Sequence, residues 1–269
     1  MKINKILSWG EENLLNAGII TANLDSQVIL AQVLKMDRSN ILAHPEQDLT
    51  FKEQLDFRKL IHQRTNRLPL ARIIEQKEFY GLNFAVSDQT FIPRPESETL
   101  VEIAIRVCPK SGNLVEVGAG SGALAIAISK NRPDLIITAI DKSDEALRVA
   151  RKNAKRYKAR LRLIRTSLLE NVDEKFDCII ANLPYLSIND INNSPPEVQS
   201  EPLLALFGGA KDGLKLYRKF ITMAPKYLKP RGYLIVESNP WQQSTLIKLA
   251  RRSKFNLIKT DRFITQFGL

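Results

Sequence analysis

The apolar positions of the first quarter of the chain recur at helical spacing. Ile3, Ile6, Leu7 and Leu14 mark one stripe over residues 3–17, which Gly18 is placed to stop. Val28, Ile29, Val33 and Leu34 mark a second over 25–36. A third helix is predicted from Thr50, where Thr50 and Glu53 have capping-box spacing ahead of Leu55 and Leu60. These three make a small helical unit. Two short extended runs then flank Gly81 between Lys77 and Val86, the pattern of a hairpin. Pro93 and Pro95 punctuate the exit, and Pro95 suits the first position of a helix running to about Val107.

From Asn113 the rhythm changes. β-rich runs at 114–117, 135–140, 161–164, 176–181 and 233–237 alternate, for the most part, with helical stretches near 122–131, 143–157 and 212–228. That alternation implies an α/β architecture, with a mostly parallel sheet covered on both faces. The runs 255–258 and 263–267 would supply a last antiparallel pair. The expected organisation is a helical domain over 1–75, a hairpin linker over 76–90 and an α/β domain over 91–269. No internal repeat or low-complexity segment interrupts it.

Composition adds constraints. The chain has 269 residues, 44% hydrophobic and 26% charged, which suits an ordinary globular core. No run approaches the roughly 20 apolar residues of a membrane span, and the N-terminus lacks the apolar region of a secretory signal. Cys108 and Cys178 sit among apolar neighbours, the usage of buried thiols in a reducing, cytoplasmic setting. His44 precedes Pro45 in a loop and His62 lies on a polar helix, so neither a zinc site nor a catalytic-histidine arrangement is expected. The net charge of +11 is uneven: ten Lys or Arg fall between Lys142 and Arg165, against Asp144 and Glu145. Such a run is either a solvated helix face or a weak electrostatic contact toward RNA or the ribosome.

Two constellations carry chemistry. Glu116-Val-Gly-Ala-Gly-Ser-Gly122 ends the first strand of the sheet and opens a helix. Its glycines permit a sharp turn and close approach of a ligand at the carboxyl edge, where open α/β sheets bind. The G-x-G-x-G spacing is shorter than the dinucleotide fingerprint and suits a ligand with no pyrophosphate to cradle. Asp141 ends the next strand, where a carboxylate can accept both hydroxyls of a ribose. Taken alone, this pair still admits NAD or a flavin.

Asn182-Leu-Pro-Tyr185 follows the strand that should lie beside the first, so the turn faces the glycine loop. An amide or aromatic-amine nitrogen is a poor nucleophile because its lone pair is delocalised. Two acceptors, the Asn182 side-chain oxygen and the Leu183 carbonyl, can hold its two N–H bonds and favour pyramidalisation as a methyl group arrives. Pro184 fixes the turn, and Tyr185 can pack on the planar group. The chemistry read from these residues is methyl transfer from S-adenosylmethionine to nitrogen, catalysed by position and fixed dipoles. No metal is required.

The chain resembles the protein-glutamine N5-methyltransferases of the PrmC or HemK family along nearly its whole length. Glu78-Phe-Tyr-Gly81, Ile92-Pro-Arg-Pro-Glu-Ser-Glu98, Glu201-Pro-Leu-Leu-Ala-Leu-Phe-Gly-Gly209 and Asp212-Gly-Leu214 are similar to that family's own signatures. The resemblance implies a Rossmann-like class I methyltransferase domain with a seven-stranded sheet, behind a helical substrate-recognition domain and a hairpin. It implies the glutamine of the Gly-Gly-Gln motif of class I release factors as substrate. Cofactor contacts would then fall on Glu116, Gly118, Ala119, Gly120, Ser121, Gly122, Asp141, Ser167, Leu168 and Asn182. Substrate contacts would fall on Phe91, Arg94 and Asn182–Tyr185, with Asn182, Leu183, Pro184 and Tyr185 at the reacting centre.

Two positions depart from the family pattern. Leu183 stands where a proline is usual, and Thr166-Ser167 stands where an acidic residue is usual near the adenine. Leu183 would act through its carbonyl, so activity should survive with a looser turn; Ser167 can still hydrogen-bond, with Leu168 packing beside the ring. Asn-Leu-Pro-Tyr also occurs in rRNA adenine N6-methyltransferases, but these place the glycine loop near the N-terminus and lack the Pro-Arg-Pro-Glu segment. A sister branch that methylates a glutamine of a ribosomal protein remains an alternative. So does a non-enzymatic assembly factor, although the intact glycines and Asn182 speak against it. Nothing in the sequence demands more than a monomer.

Overall fold

A computed structural model describes all 269 residues, which fall into two compact units, each built around its own apolar core. The first unit comprises Met1–Glu75 together with Pro195–Ser200. Its helices are α1 (Ile3–Asn16), α2 (Ala22–Leu34), α3 (Arg38–Ala43), α4 (Phe51–Thr65) and α5 (Leu70–Ile73). Ile3, Ile6, Leu14, Ile29, Leu30, Phe57 and Ile61 form the centre of its core. Gly18, at φ +72°, ends α1 as expected. Thr50 caps α4 in a complete capping box with Glu53. The buried face of α4 is Phe57, Ile61 and Arg64, whereas Leu55 points outward at 58% exposed.

Arg64 is the unusual member of that face. Its Nε donates to Asp25 Oδ2 at 2.7 Å and its Nη1 to Glu197 Oε1 at 2.9 Å. Arg67 Nη2 donates to Glu197 Oε2 at 3.0 Å. A charge as buried as Arg64 persists only when paired and hydrogen-bonded. These bonds place residues 195–200, remote in sequence, in the helical unit, a feature with no local sequence signal.

The second unit comprises Gln76–Ser194 and Glu201–Leu269. It begins with the antiparallel hairpin β1 (Gln76–Phe79) and β2 (Leu82–Ala85). Tyr80 and Gly81 both take positive φ, at 51° and 70°, the requirement of the two-residue turn that matches strand twist. The hairpin belongs to this unit's core through Phe79 and Phe84, each fully buried. Burial of side chains this large contributes about 1.5–3 kcal/mol apiece.

Then follow a 3-10 turn (Pro95–Ser97), α6 (Glu98–Val107), β3 (Asn113–Val117), α7 (Ala123–Asn131), β4 (Ile136–Asp141), α8 (Asp144–Tyr157), β5 (Leu161–Arg165) and β6 (Phe176–Ala181). Short helices α9 (Ile188–Asn192), α10 (Pro196–Gln199, in the first unit) and α11 (Leu203–Leu206) precede α12 (Lys215–Tyr227), β7 (Leu228–Glu237), α13 (Gln243–Arg252), β8 (Asn256–Asp261) and β9 (Ile264–Gly268). The seven-stranded sheet has the order β5-β4-β3-β6-β7-β9-β8, parallel except for β9.

Strand β6 does pair with β3, with Val117 opposite Ala181. Gly118 and Asn182 therefore leave neighbouring strands at the same level. Strand β7 begins five residues before the apolar run at 233–237, because Leu228 pairs with Phe176 ahead of a register shift that Pro230 and Gly232 conceal in the sequence. The helix at Pro95 opens with a turn of 3-10 before becoming α-helical at Glu98. Helix α13 has no counterpart in the sequence reading. No helix is long and apolar enough to cross a membrane.

Candidate active site

The glycine loop is stitched to the adjacent strand. Gly118 N and Ala119 N both donate to Ile140 O at 2.8 Å, and Gly120 N donates to Asp141 Oδ2 at 2.9 Å. Gly118 has φ +85°, and a Cβ on it would lie 3.1 Å from Leu183 Cδ2. Backbone freedom and close packing together exclude a side chain there. Gly120 and Gly122 also have positive φ, and the space beyond Gly120 is open. Ser121, itself buried, gives its carbonyl to Asn153 Nδ2 at 2.9 Å. Asn153 is wholly buried and also bonds both the N–H and the carbonyl of Ala85, so it clamps the loop to the hairpin. No motif reading of α8 singles it out.

Glu116, 2% exposed, accepts from Ala125 N at 3.0 Å and so caps the first turn of α7 from the strand side. Burial pushes its carboxyl up to about 8, against the pull of that N–H. Asp141 accepts from Ser143 N through Oδ1 and from Gly120 N through Oδ2. A carboxylate has about four lone-pair sites, so two stay available for a diol. Thr166 N donates to Asp141 O, which places Ser167 and Leu168 just past β5 at the same carboxyl edge. An open glycine cradle, a carboxylate with spare acceptor sites and a neighbouring apolar Leu168 fit a ribonucleoside with a short charged tail.

The turn after β6 rests on groups to which the sequence assigns no individual role. Asn182 Nδ2 donates to Ser97 Oγ at 3.0 Å, and Ser97 Oγ donates to Glu237 Oε2 at 2.5 Å. Tyr185 OH donates to Glu237 Oε1 at 3.1 Å. Leu183 N donates to Tyr217 OH at 3.2 Å, and Tyr217 OH donates to the Glu237 carbonyl. Burial, reinforced by Glu237, raises the Tyr185 hydroxyl far above its usual range, so it stays a donor. Asn182 Oδ1 and the Leu183 carbonyl accept no hydrogen bond from the protein. They are the pair expected to hold an amide. Only the end of β7 brings Glu237 here, and only the tertiary fold brings Ser97.

The four signature segments prove to be structurally interlocked. Glu201, its side chain 1% exposed, accepts from Ile92 N at 3.0 Å and pairs with Arg94. Arg94 lies 5.0 Å from the Phe91 ring centroid. A Cβ on Gly208 would lie 2.5 Å from Pro184 O, so Gly208 lets the backbone pack directly on the turn. Gln242 Nε2 bonds both Tyr185 O and Asp212 O at 2.7 Å. Glu98 receives Tyr80 N at 2.9 Å, tying the hairpin tip to α6. Nowhere do three or more His, Cys, Asp or Glu gather as a metal site would need.

Residues 5–74 match the PrmC N-terminal domain family, and residues 96–194 match the methyltransferase small domain family. A release factor glutamine methyltransferase from Geobacter sulfurreducens is 36% identical over 255 residues, spanning 94% of this chain and 89% of the relative. The corresponding protein of Streptococcus pneumoniae is 34% identical over 255 residues, spanning 94% and 90%. Among solved structures, a methyltransferase from Pyrococcus furiosus superposes with a TM-score of 0.55 over 71% of this chain and 91% of that one; at 18% identity this shows the fold. With such identity across nearly the full length of its relatives, the chain belongs to the release factor glutamine methyltransferase family.

Proposed function

We propose that this protein methylates the side-chain amide nitrogen of the glutamine in the Gly-Gly-Gln motif of class I release factors, using S-adenosylmethionine. The observation that carries the reading is the pair of unpartnered acceptors, Asn182 Oδ1 and Leu183 O, beside the glycine loop, in a chain of this family. Gly118–Gly122 would hold the methionine portion of the cofactor, Asp141 its ribose, and Ser167 and Leu168 its adenine. When bound, S-adenosylmethionine supplies a methyl group on cationic sulfur, and the carbon–sulfur bond that breaks leaves its electron pair on that sulfur.

Asn182 Oδ1 and Leu183 O each accept one N–H of the glutamine amide and hold its nitrogen in line. As the nitrogen gains its bond to carbon, those acceptors stabilise the positive charge on its N–H groups, and one proton then leaves to solvent. Tyr185 covers the amide plane, and Pro184 keeps the turn rigid. Phe91 and Arg94, held by Glu201, line the approach, and the helical unit would recognise the release factor body.

Of the ten cations between 142 and 165, Arg148, Arg162 and Arg165 pair with Glu145, Glu174 and Asp144. Exposed Arg151, Lys152, Lys155 and Arg156 on α8 would supply a weak contact with RNA or the ribosome. In this reading the enzyme works as a monomer in the cytoplasm.

The test combines purified protein, labelled S-adenosylmethionine and a release factor, with mass spectrometry of the Gly-Gly-Gln peptide. Label on the glutamine is expected. Label in rRNA, or transfer undiminished after Gln→Ala in the tripeptide, would overturn the reading.

A further inference from the structure

A carboxamide has a donor end and an acceptor end of nearly the same shape, and only the acceptor end of Asn182 can hold a substrate N–H. Reversed, the group would turn two N–H donors against the substrate amide. The orientation of this one side chain therefore decides whether the site works.

The surrounding bonds determine that orientation. Ser97 Oγ carries a single proton, which goes to Glu237 Oε2 at 2.5 Å. Ser97 can then only accept from Asn182, which forces Nδ2 toward Ser97, at 3.0 Å, and turns Oδ1 away. The second carboxylate oxygen is held by Tyr185 OH at 3.1 Å. Both oxygens of Glu237 thus act as acceptors, as an ionised carboxylate requires. A neutral Glu237 could donate its proton to Ser97, freeing the Ser97 proton for Asn182 Oδ1 and reversing the amide.

We infer, on the footing of the function proposed above, that Glu237 is a positioning residue: its buried carboxylate sets, through Ser97, which end of the Asn182 carboxamide meets the substrate. Glu237 is 1% exposed and forms no ion pair with Lys or Arg, so its charge has no structural partner to explain it. A buried carboxylate without a cation keeps its charge only through hydrogen-bond donors, here Ser97 Oγ and Tyr185 OH.

The groups that face Glu237 are few. Glu96 lies exposed on the 3-10 turn, Tyr185 donates from the turn after β6, and Tyr217 of α12 donates to its main-chain carbonyl. Burial holds both tyrosines neutral far above their usual range. Burial, with a smaller push from Glu96, also raises the Glu237 carboxyl above the usual carboxylate range, while Ser97, Tyr185 and Asn182 oppose the rise. The arrangement works only while Glu237 is ionised. Methyl transfer should therefore decline as the pH falls through that raised value.

Three measurements on the full chain test this. Glu237→Gln should lower kcat/KM toward a Gly-Gly-Gln release factor by about 100-fold, the scale of a misplaced reacting group. Its dissociation constant for S-adenosylmethionine, read by calorimetry, should stay within about twofold, since Gly118–Gly122, Asp141, Ser167 and Leu168 supply most of the cofactor contacts. The acid limb of the wild-type kcat/KM profile should disappear in the variant. Ser97→Ala, which spares the carboxylate, should lose about tenfold in kcat/KM.

The third readout needs no activity. The side-chain 15N signal of Asn182, assigned by its absence in Asn182→Ala, should shift in Glu237→Gln and in Ser97→Ala.

Wild-type kcat/KM in either variant overturns the inference, as does a cofactor affinity that falls in parallel with kcat/KM. So does an Asn182 signal unmoved in both variants. A wild-type enzyme inactive on the glutamine, with the Asn182 signal still shifting, would sink the proposed substrate while supporting the relay.

Discussion

Leu183 packs its Cδ2 into the space that a side chain on Gly118 would need, at 3.1 Å from the Cβ position. The glycine loop and the Asn182–Tyr185 turn are therefore complementary surfaces. Gly118→Ala should fail for two reasons, the clash with Leu183 and the positive φ. The left-handed backbone alone costs about 1–2 kcal/mol for an alanine. Adding Leu183→Ala should relieve only the clash. Chemical denaturation of both variants checks this: full recovery of stability in the double variant would show that backbone strain plays no part.

Glu201 is the anchor of the segment carrying Phe91 and Arg94. Glu201→Ala leaves Ile92 N–H buried without an acceptor, which costs about 1–3 kcal/mol. The variant should melt at lower temperature and show a raised KM for the release factor, with cofactor affinity nearly unchanged. Glu201→Gln keeps an acceptor for Ile92 but loses the charge that holds Arg94, so it should recover stability more than KM. Equal recovery of both would mean that the Arg94 pair is immaterial to substrate binding.

In the helical unit, Arg64→Ala leaves Asp25 buried without its cation, a loss of about 3–5 kcal/mol. Residues 195–200 should become susceptible to protease in that variant, since Glu197 loses one of its two arginines. Limited proteolysis with mass spectrometry reads the cut site, and cleavage unchanged from wild type would contradict the role given to Arg64.

Glu116 holds its proton more tightly in the fold than in the unfolded chain, because burial raises its carboxyl from 4.5 to about 8. Its contribution to stability is therefore complete below pH 4.5 and disappears as the pH rises through about 8. Glu116→Gln preserves an acceptor for Ala125 and removes the titration. Relative to wild type, the variant should gain stability steadily from pH 5 to pH 8.5. A constant difference across that range would show that Glu116 is ionised throughout.

Cys108 and Cys178 are both buried and unpaired by disulfide. Burial pushes the Cys108 thiol up to about 11 and the Cys178 thiol well above its usual range. Neither should react with an aromatic disulfide reagent until the protein unfolds. Rapid labelling of a thiol under native conditions would show that one of these sites opens locally.

Much of this protein could be read along the chain. Helical periodicity located α1, α2 and α4, and the capping box at Thr50 marked its helix to the residue. The βα rhythm yielded a parallel sheet, and the glycine loop and the Asn182–Tyr185 turn lay at its carboxyl edge. These are local signals: periodicity, caps and turns depend on neighbours within a few positions. What the sequence left undecided depends on neighbours far apart in it. Residues 195–200 join the helical unit through Arg64, 133 positions from Glu197. Asn153 clamps the glycine loop to a hairpin 68 positions away. Glu237 and Ser97, 140 positions apart, meet only because β7 and the turn before α6 end at the same place. A buried polar group must find its partner wherever the fold brings one, so its role becomes visible only in three dimensions.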